Sequence, residues 1–161
     1  MATEITDITE EFDCVGLFDL VTTMAAPNCP ADQQDNIGRS KILEAQGLLS
    51  QHKLVSEFAL VGVSVKFCPL THGLGLVRQS NEILIDDGLR LGSRETLGEV
   101  IAHELAHITQ MRELGEDRFK CSYIKELLNC GCMDKHHVLE APAYAVQTKV
   151  RDFLLGVWLK N

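Results

Sequence analysis

The sequence predicts an α+β fold in which a small, mostly antiparallel sheet packs on one long helix and further helices follow. Three observations carry this. Val61 to Phe67 alternates with period two and is rich in β-branched residues, and two shorter runs, Leu74 to Arg78 and Glu82 to Asp86, come soon after it. From Ser93 onward the period lengthens, with Leu97, Val100, Ile101, Leu105 and Ile108 spaced as on one face of a helix. Gly115 and Gly131 then punctuate two more helical stretches, so the strands precede the long helices instead of alternating with them.

Taken in order, residues 1–30 form an N-terminal extension, set off by a polar stretch from Ala26 to Ile37 that holds Pro27 and Pro30. Ile42, Ala45, Leu49, Val55 and Phe58 predict one or two helices between Arg39 and Ala59, with Gly47 as a weak point. Gln79-Ser-Asn81 reads as a hairpin-like connection between the second and third strands. Ser93 followed by Glu95 signals the start of the long helix, which runs to about Glu113. The next helix spans Asp117 to Asn129, with Phe119, Tyr123, Ile124, Leu127 and Leu128 on its apolar side. A last helix spans about Leu139 to Leu159, with Pro142 in its first turn, where a missing N–H costs no hydrogen bond.

The 161 residues suit a single domain, and 45% hydrophobic with 24% charged residues is an ordinary globular composition. A net charge of −8 without a Lys/Arg cluster excludes a general nucleic-acid binder. The acidic first residues lack the basic start and apolar run of a secretory signal, and no stretch is apolar enough for a membrane span. A soluble, cytoplasmic protein is expected, and with it reduced thiols at Cys14, Cys29, Cys68, Cys121, Cys130 and Cys132. Cys130-Gly-Cys132 lacks the usual spacer of a structural zinc knuckle.

Chemistry concentrates in His103-Glu104-Leu105-Ala106-His107. On a helix, histidines four apart stand one turn above each other, so both imidazoles reach one ion. Glu104 falls one residue out of step, where its carboxylate can take a proton from metal-bound water. The bland alternative is a helix that contains these residues by chance; the amphipathic context after a β-hairpin weighs against it.

Ile101 to Gln110, Leu114-Gly115, Phe119, Tyr123, Glu126 to Leu128 and Leu139-Glu-Ala-Pro-Ala-Tyr-Ala145 together resemble the short gluzincin-like zinc metallopeptidase domains, relatives of thermolysin. The resemblance covers about Val61 to Gln147. It implies a minimal zincin fold with Zn2+ held by His103, His107 and Glu140, Glu104 as general base, and hydrolysis of peptide bonds. The thirty-two residues between His107 and Glu140 independently allow a turn, a helix and a return. A solvated helix-start role for Glu140, or His136 or His137 as third ligand, remain the competing readings. Where many members carry an aspartate four residues after the glutamate ligand, this chain has Tyr144. Its phenol could accept a hydrogen bond from a histidine ligand, donate to the substrate oxyanion, or simply pack; Tyr123 has the same readings, with packing favoured.

The resemblance further implies a peptide or protein substrate bound by β-augmentation along an edge strand, here Asn81 to Asp86. His52 and His72 read as ordinary polar residues, and Cys14 or Cys29 could occupy an open metal position as a latency device. The alternative functions are a zincin scaffold kept as a catalytically weak binding module, and a toxin or effector peptidase of narrow specificity.

Overall fold

A computed structural model of the chain describes residues 13–29 and 36–160. The first twelve residues of the N-terminal extension, its last residue Pro30 and the rest of the polar stretch to residue 35 lie outside the described residues.

The class is α+β, as the pattern predicts. Helix α1, Cys14–Ala25, begins at Asp13, whose carboxylate accepts the Gly16 N–H at 2.8 Å. Phe18, on its inner face, is buried edge-on against the rings of Phe119 and Tyr123, so this part of the extension is packed into the core. The predicted helical region between 39 and 59 is two helices, α2 (Asn36–Gln51) and α3 (Glu57–Leu60). Lys53 in the left-handed region breaks the first, and the Ser56 side chain caps the second.

Strands β1 (Ser64–Cys68), β2 (Gly75–Gln79) and β3 (Glu82–Asp86) form one sheet in the order β1-β3-β2. The β2–β3 pair is the predicted antiparallel hairpin, whereas β1 runs parallel to β3, so the sheet is mixed. The order corrects one expectation. Glu82 to Asp86 is the central strand, with backbone groups taken on both sides, and cannot accept an added strand. Ile83, Leu84 and Ile85 are all fully buried, as a strand covered on both faces requires.

Helix α4 (Arg94–Leu114) starts where the Ser93 hydroxyl accepts the Thr96 N–H at 3.1 Å and stops at Gly115, whose φ of 86° suits glycine. It is the central element, packed on α2, the sheet, α5 (Glu116–Cys130) and α6 (Glu140–Lys160), most extensively on α6. Ala143 is fully buried one turn into α6. Further along, Arg151 grips Glu99 of α4 through both carboxylate oxygens, at 2.9 Å for its shortest contact, and Gln147 joins at 3.2 Å. Small contact residues and this polar clamp fix α6 against α4, which sets where Glu140 can reach.

The expectation of reduced thiols does not hold. All six cysteines pair as disulfides: Cys14–Cys121 joins α1 to α5, Cys29–Cys68 joins the segment after α1 to β1, and Cys130–Cys132 closes a small ring after α5. The Cα atoms lie 4.9 to 5.2 Å apart, inside the range a bridge requires. Sequence separation decides their weight: closing 107 residues constrains the unfolded chain by about 4–5 kcal/mol, whereas closing two contributes little. Among the described residues no helix is long and apolar enough to cross a membrane.

Candidate metal centre

His103 and His107 lie one turn apart on the face of α4 that meets the start of α6, and Glu140 is the first residue of α6. The three are buried, with ligand atoms all within 4.8 Å of one another. Glu140 Oε1 sits 3.2 Å from His103 Nε2 and 2.7 Å from His107 Nε2, so two imidazoles and one carboxylate converge on a single point. Two neutral nitrogens and an anion are the donor set a divalent transition metal takes, and this cluster can hold a metal ion.

Supporting hydrogen bonds orient two of the three. Gln110, one turn beyond His107, presents Oε1 to His107 Nδ1 at 2.9 Å, which leaves Nε2 free for a metal. The Gln110 amide is held in that orientation because its Nε2 donates to the Leu139 carbonyl at 3.0 Å. Tyr123 donates its hydroxyl to Glu140 Oε2 at 2.9 Å, which leaves Oε1 for the histidines. The helical spacing of Tyr123 points to packing and does not reveal this bond, and nothing in the sequence marks Gln110 beyond its place three residues after His107. The Nδ1 of His103 is buried and has no hydrogen-bond partner.

Neither competing histidine joins the cluster. His136 is exposed and bonds Asp134 at 2.9 Å. His137 is fully buried, but its Nε2 meets the Tyr123 carbonyl at 2.9 Å and its Nδ1 accepts the Leu139 N–H at 3.1 Å. His137 thus fixes the backbone beside Tyr123, and both its nitrogens are spent there. Cys14 and Cys29 are tied up in disulfides, so neither can serve as a latency ligand. The His52 ring lies tilted against Phe153, 5.3 Å between centroids.

Glu104 is buried as deeply as the ligands, and its carboxylate lies against Gly75 of β2. A Cβ at Gly75 would stand 2.6 Å from Glu104 Oε1, so the glycine makes room for the acid. Burial pushes the Glu104 carboxyl above its ordinary range, against the pull of His107 and His103. Burial acts most strongly on His107 and resists its charge, but the hydrogen bond to Glu140, the charges of Glu104 and Glu140 and the hydrogen bond to Gln110 together outweigh it and raise that imidazole to about 9. The two imidazoles likewise overcome the burial of Glu140 and hold its carboxylate charged well below the usual range.

Above these groups is a cavity of about 540 Å³, walled by α1, β2 and the start of α6. Its lining is largely apolar, and it lies within the size range of small-ligand sites. Tyr144 stands on its wall, partly exposed, with its ring edge-on to His103 at 4.6 Å between centroids. It does not orient His103 through a hydrogen bond, since Nδ1 has none. His72, exposed on the loop before β2, lines the same cavity, a placement its isolated position in the sequence could not signal. No protein-family profile, curated protein or solved structure matches this chain.

Two expectations follow. Tyr123→Phe removes only the hydroxyl that fixes Glu140 and should weaken metal binding about 10–100-fold, as loss of a supporting hydrogen bond commonly does; competition with a chromophoric chelator measures it. In metal-stripped protein, His107 is raised from 6.5 to about 9, so its contribution to stability is complete below about 6.5 and lost as pH rises through about 9. Glu140 is lowered from 4.5, so its contribution is present above that value and lost on further acidification. Glu104, raised by burial, likewise loses its contribution as pH rises above about 4.5, so urea midpoints of the stripped protein should fall on the alkaline side as pH rises from about 6.5 through about 9.

Proposed function

We propose that the chain is a zinc-dependent peptidase of the gluzincin kind, with His103, His107 and Glu140 as ligands and Glu104 as general base. The observation that carries the reading is the convergence of both histidines on Glu140, with the Glu104 carboxylate buried beside them at the floor of a cavity. Zinc bound there supplies a Lewis acid and a water acidic enough to ionise near neutrality.

The protein's own groups do the rest. Glu104, whose carboxylate lies buried beside the ligands, takes the proton of the attacking water and returns it to the leaving amine. Tyr144, on the cavity wall, is the donor available to the oxyanion as the carbonyl becomes tetrahedral. The strand placed to bind an extended peptide is β2 instead of Asn81 to Asp86. It is the sheet edge nearer the cavity, and Gly75, Leu76 and Val77 line that cavity. The disulfides favour a compartment oxidising enough to keep them over the cytoplasm expected from the first residues.

The test is elemental analysis of purified protein combined with mass-spectrometric profiling of a peptide library. Stoichiometric zinc and cleavage that stops with a chelator and returns with zinc support the reading. Stoichiometric zinc without cleavage of any peptide would leave a metal-stabilised binding module in its place.

A further inference from the structure

Helix α1 closes one side of the cavity: Phe18, Val21, Thr22, Met24 and Ala25 all line it. Its inner face packs on α5 and β2 through Phe18 and Leu17, while its outer face is open to solvent. Phe18 and Thr22 are the residues of α1 that are buried, while Leu20 and Met24 are 56% and 64% exposed. Asp19 pairs with Lys120 of α5 at 2.8 Å from a largely exposed position. Thr71 reaches the helix end through the Ala25 and Met24 carbonyls. What ties the helix at both ends is covalent. Cys14, its first residue, is bonded to Cys121 of α5, and Cys29, just past its last turn, is bonded to Cys68 at the end of β1.

We propose that α1 is a disulfide-latched cover over the metal centre, and that thiol–disulfide exchange at Cys14–Cys121 and Cys29–Cys68 sets how far the cavity opens. The inference concerns access and is independent of the bond the site breaks. Cys14, Cys121 and Cys29 are partly exposed and Cys68 is fully buried, so an incoming thiolate can attack either sulfur of the first bond but only Cys29 of the second. With a dithiol as reductant, its thiolate displaces one cysteine from the bond and forms a mixed disulfide with the other. Its second thiolate then closes a cyclic disulfide and expels that other cysteine. Each bond takes up two electrons and two protons and leaves two cysteine thiols, while the dithiol is oxidised. The packing of Phe18 and Leu17, the Asp19–Lys120 pair and the Thr71 hydrogen bonds then remain as its anchors, all of them non-covalent.

Hydrogen exchange of the full chain, followed by mass spectrometry with and without dithiothreitol, tests this without any assay of activity. Peptides covering residues 14–25 should exchange at least tenfold faster after reduction, while those from Arg94–Leu114 keep their protection. The Cys14→Ser/Cys29→Ser variant should reproduce the change without reductant. Cys130→Ser/Cys132→Ser, which leaves both latches intact, should not. Unchanged protection of 14–25 on reduction overturns the proposal. So does equal loss across 14–25 and 94–114, which would make the bonds general staples of the fold. Non-reducing peptide maps that lack the Cys14–Cys121 and Cys29–Cys68 links would overturn it as well.

Discussion

Glu104→Gln should retain bound zinc and the fold and lower kcat/KM for peptide cleavage by about 10²–10⁴, the contribution usual for a positioned general base. The expectation rests on what the substitution leaves alone. Glu104 is not one of the converging ligands, and glutamine has the same shape, so the tight fit against Gly75 is preserved. What goes is the ability to accept a proton. Because burial already pushes the Glu104 carboxyl upward, replacing it with a neutral amide relieves a desolvated charge, and stability should hold or rise slightly. Zinc content, thermal midpoint and turnover measured on one sample separate these effects. A variant that keeps its zinc and cleaves peptides at the parental rate would falsify the role of Glu104.

The long helix and its neighbours were legible because their signals are local. Ser93, Gly115 and Gly131 act within one turn of where they stand, and the boundaries of α4 and α5 fall within a residue or so of their positions. His103, Glu104 and His107 were legible for the same reason, since helix geometry alone places them. Strand β3 was found at its true bounds but assigned to the wrong place in the sheet. A hairpin connection says that β2 and β3 are neighbours; it does not say on which side β1 will insert. That depends on a parallel pairing between segments 18 residues apart, Ser64 with Glu82, which no local pattern encodes.

The disulfides and the supporting residues were hidden for a related reason. Cys14 and Cys121 are distant in sequence and meet only because α1 packs on α5. Tyr123 sits among apolar residues at helical spacing, as a core aromatic does, and indeed its ring packs on Phe18 and Phe119. Its hydroxyl acquires a partner only once α6 delivers Glu140 to it. The same residue is core by its ring and part of the site by its oxygen.

That double role makes Glu140 the position where composition of the site can be decided most sharply. Glu140→Gln keeps an oxygen for the Tyr123 hydroxyl and nearly the same volume, so the metal-free fold should stay within about 1 kcal/mol of the parent apart from the lost ion pair with His107. Its zinc affinity should nevertheless fall by more than the roughly 10–100-fold that a lost supporting hydrogen bond costs, because a charged ligand itself has been neutralised. Glu140→Ala should lose zinc to a similar extent and, in addition, leave the Tyr123 hydroxyl buried without an acceptor, a further penalty of about 1–3 kcal/mol. His136→Ala, at an exposed side chain engaged with Asp134, should bind zinc like the parent. Chelator competition and urea denaturation on the three variants test both halves of the argument. Parental zinc affinity in Glu140→Gln would remove the carboxylate from the ligand set, and with it the gluzincin reading, while leaving His103 and His107 untouched.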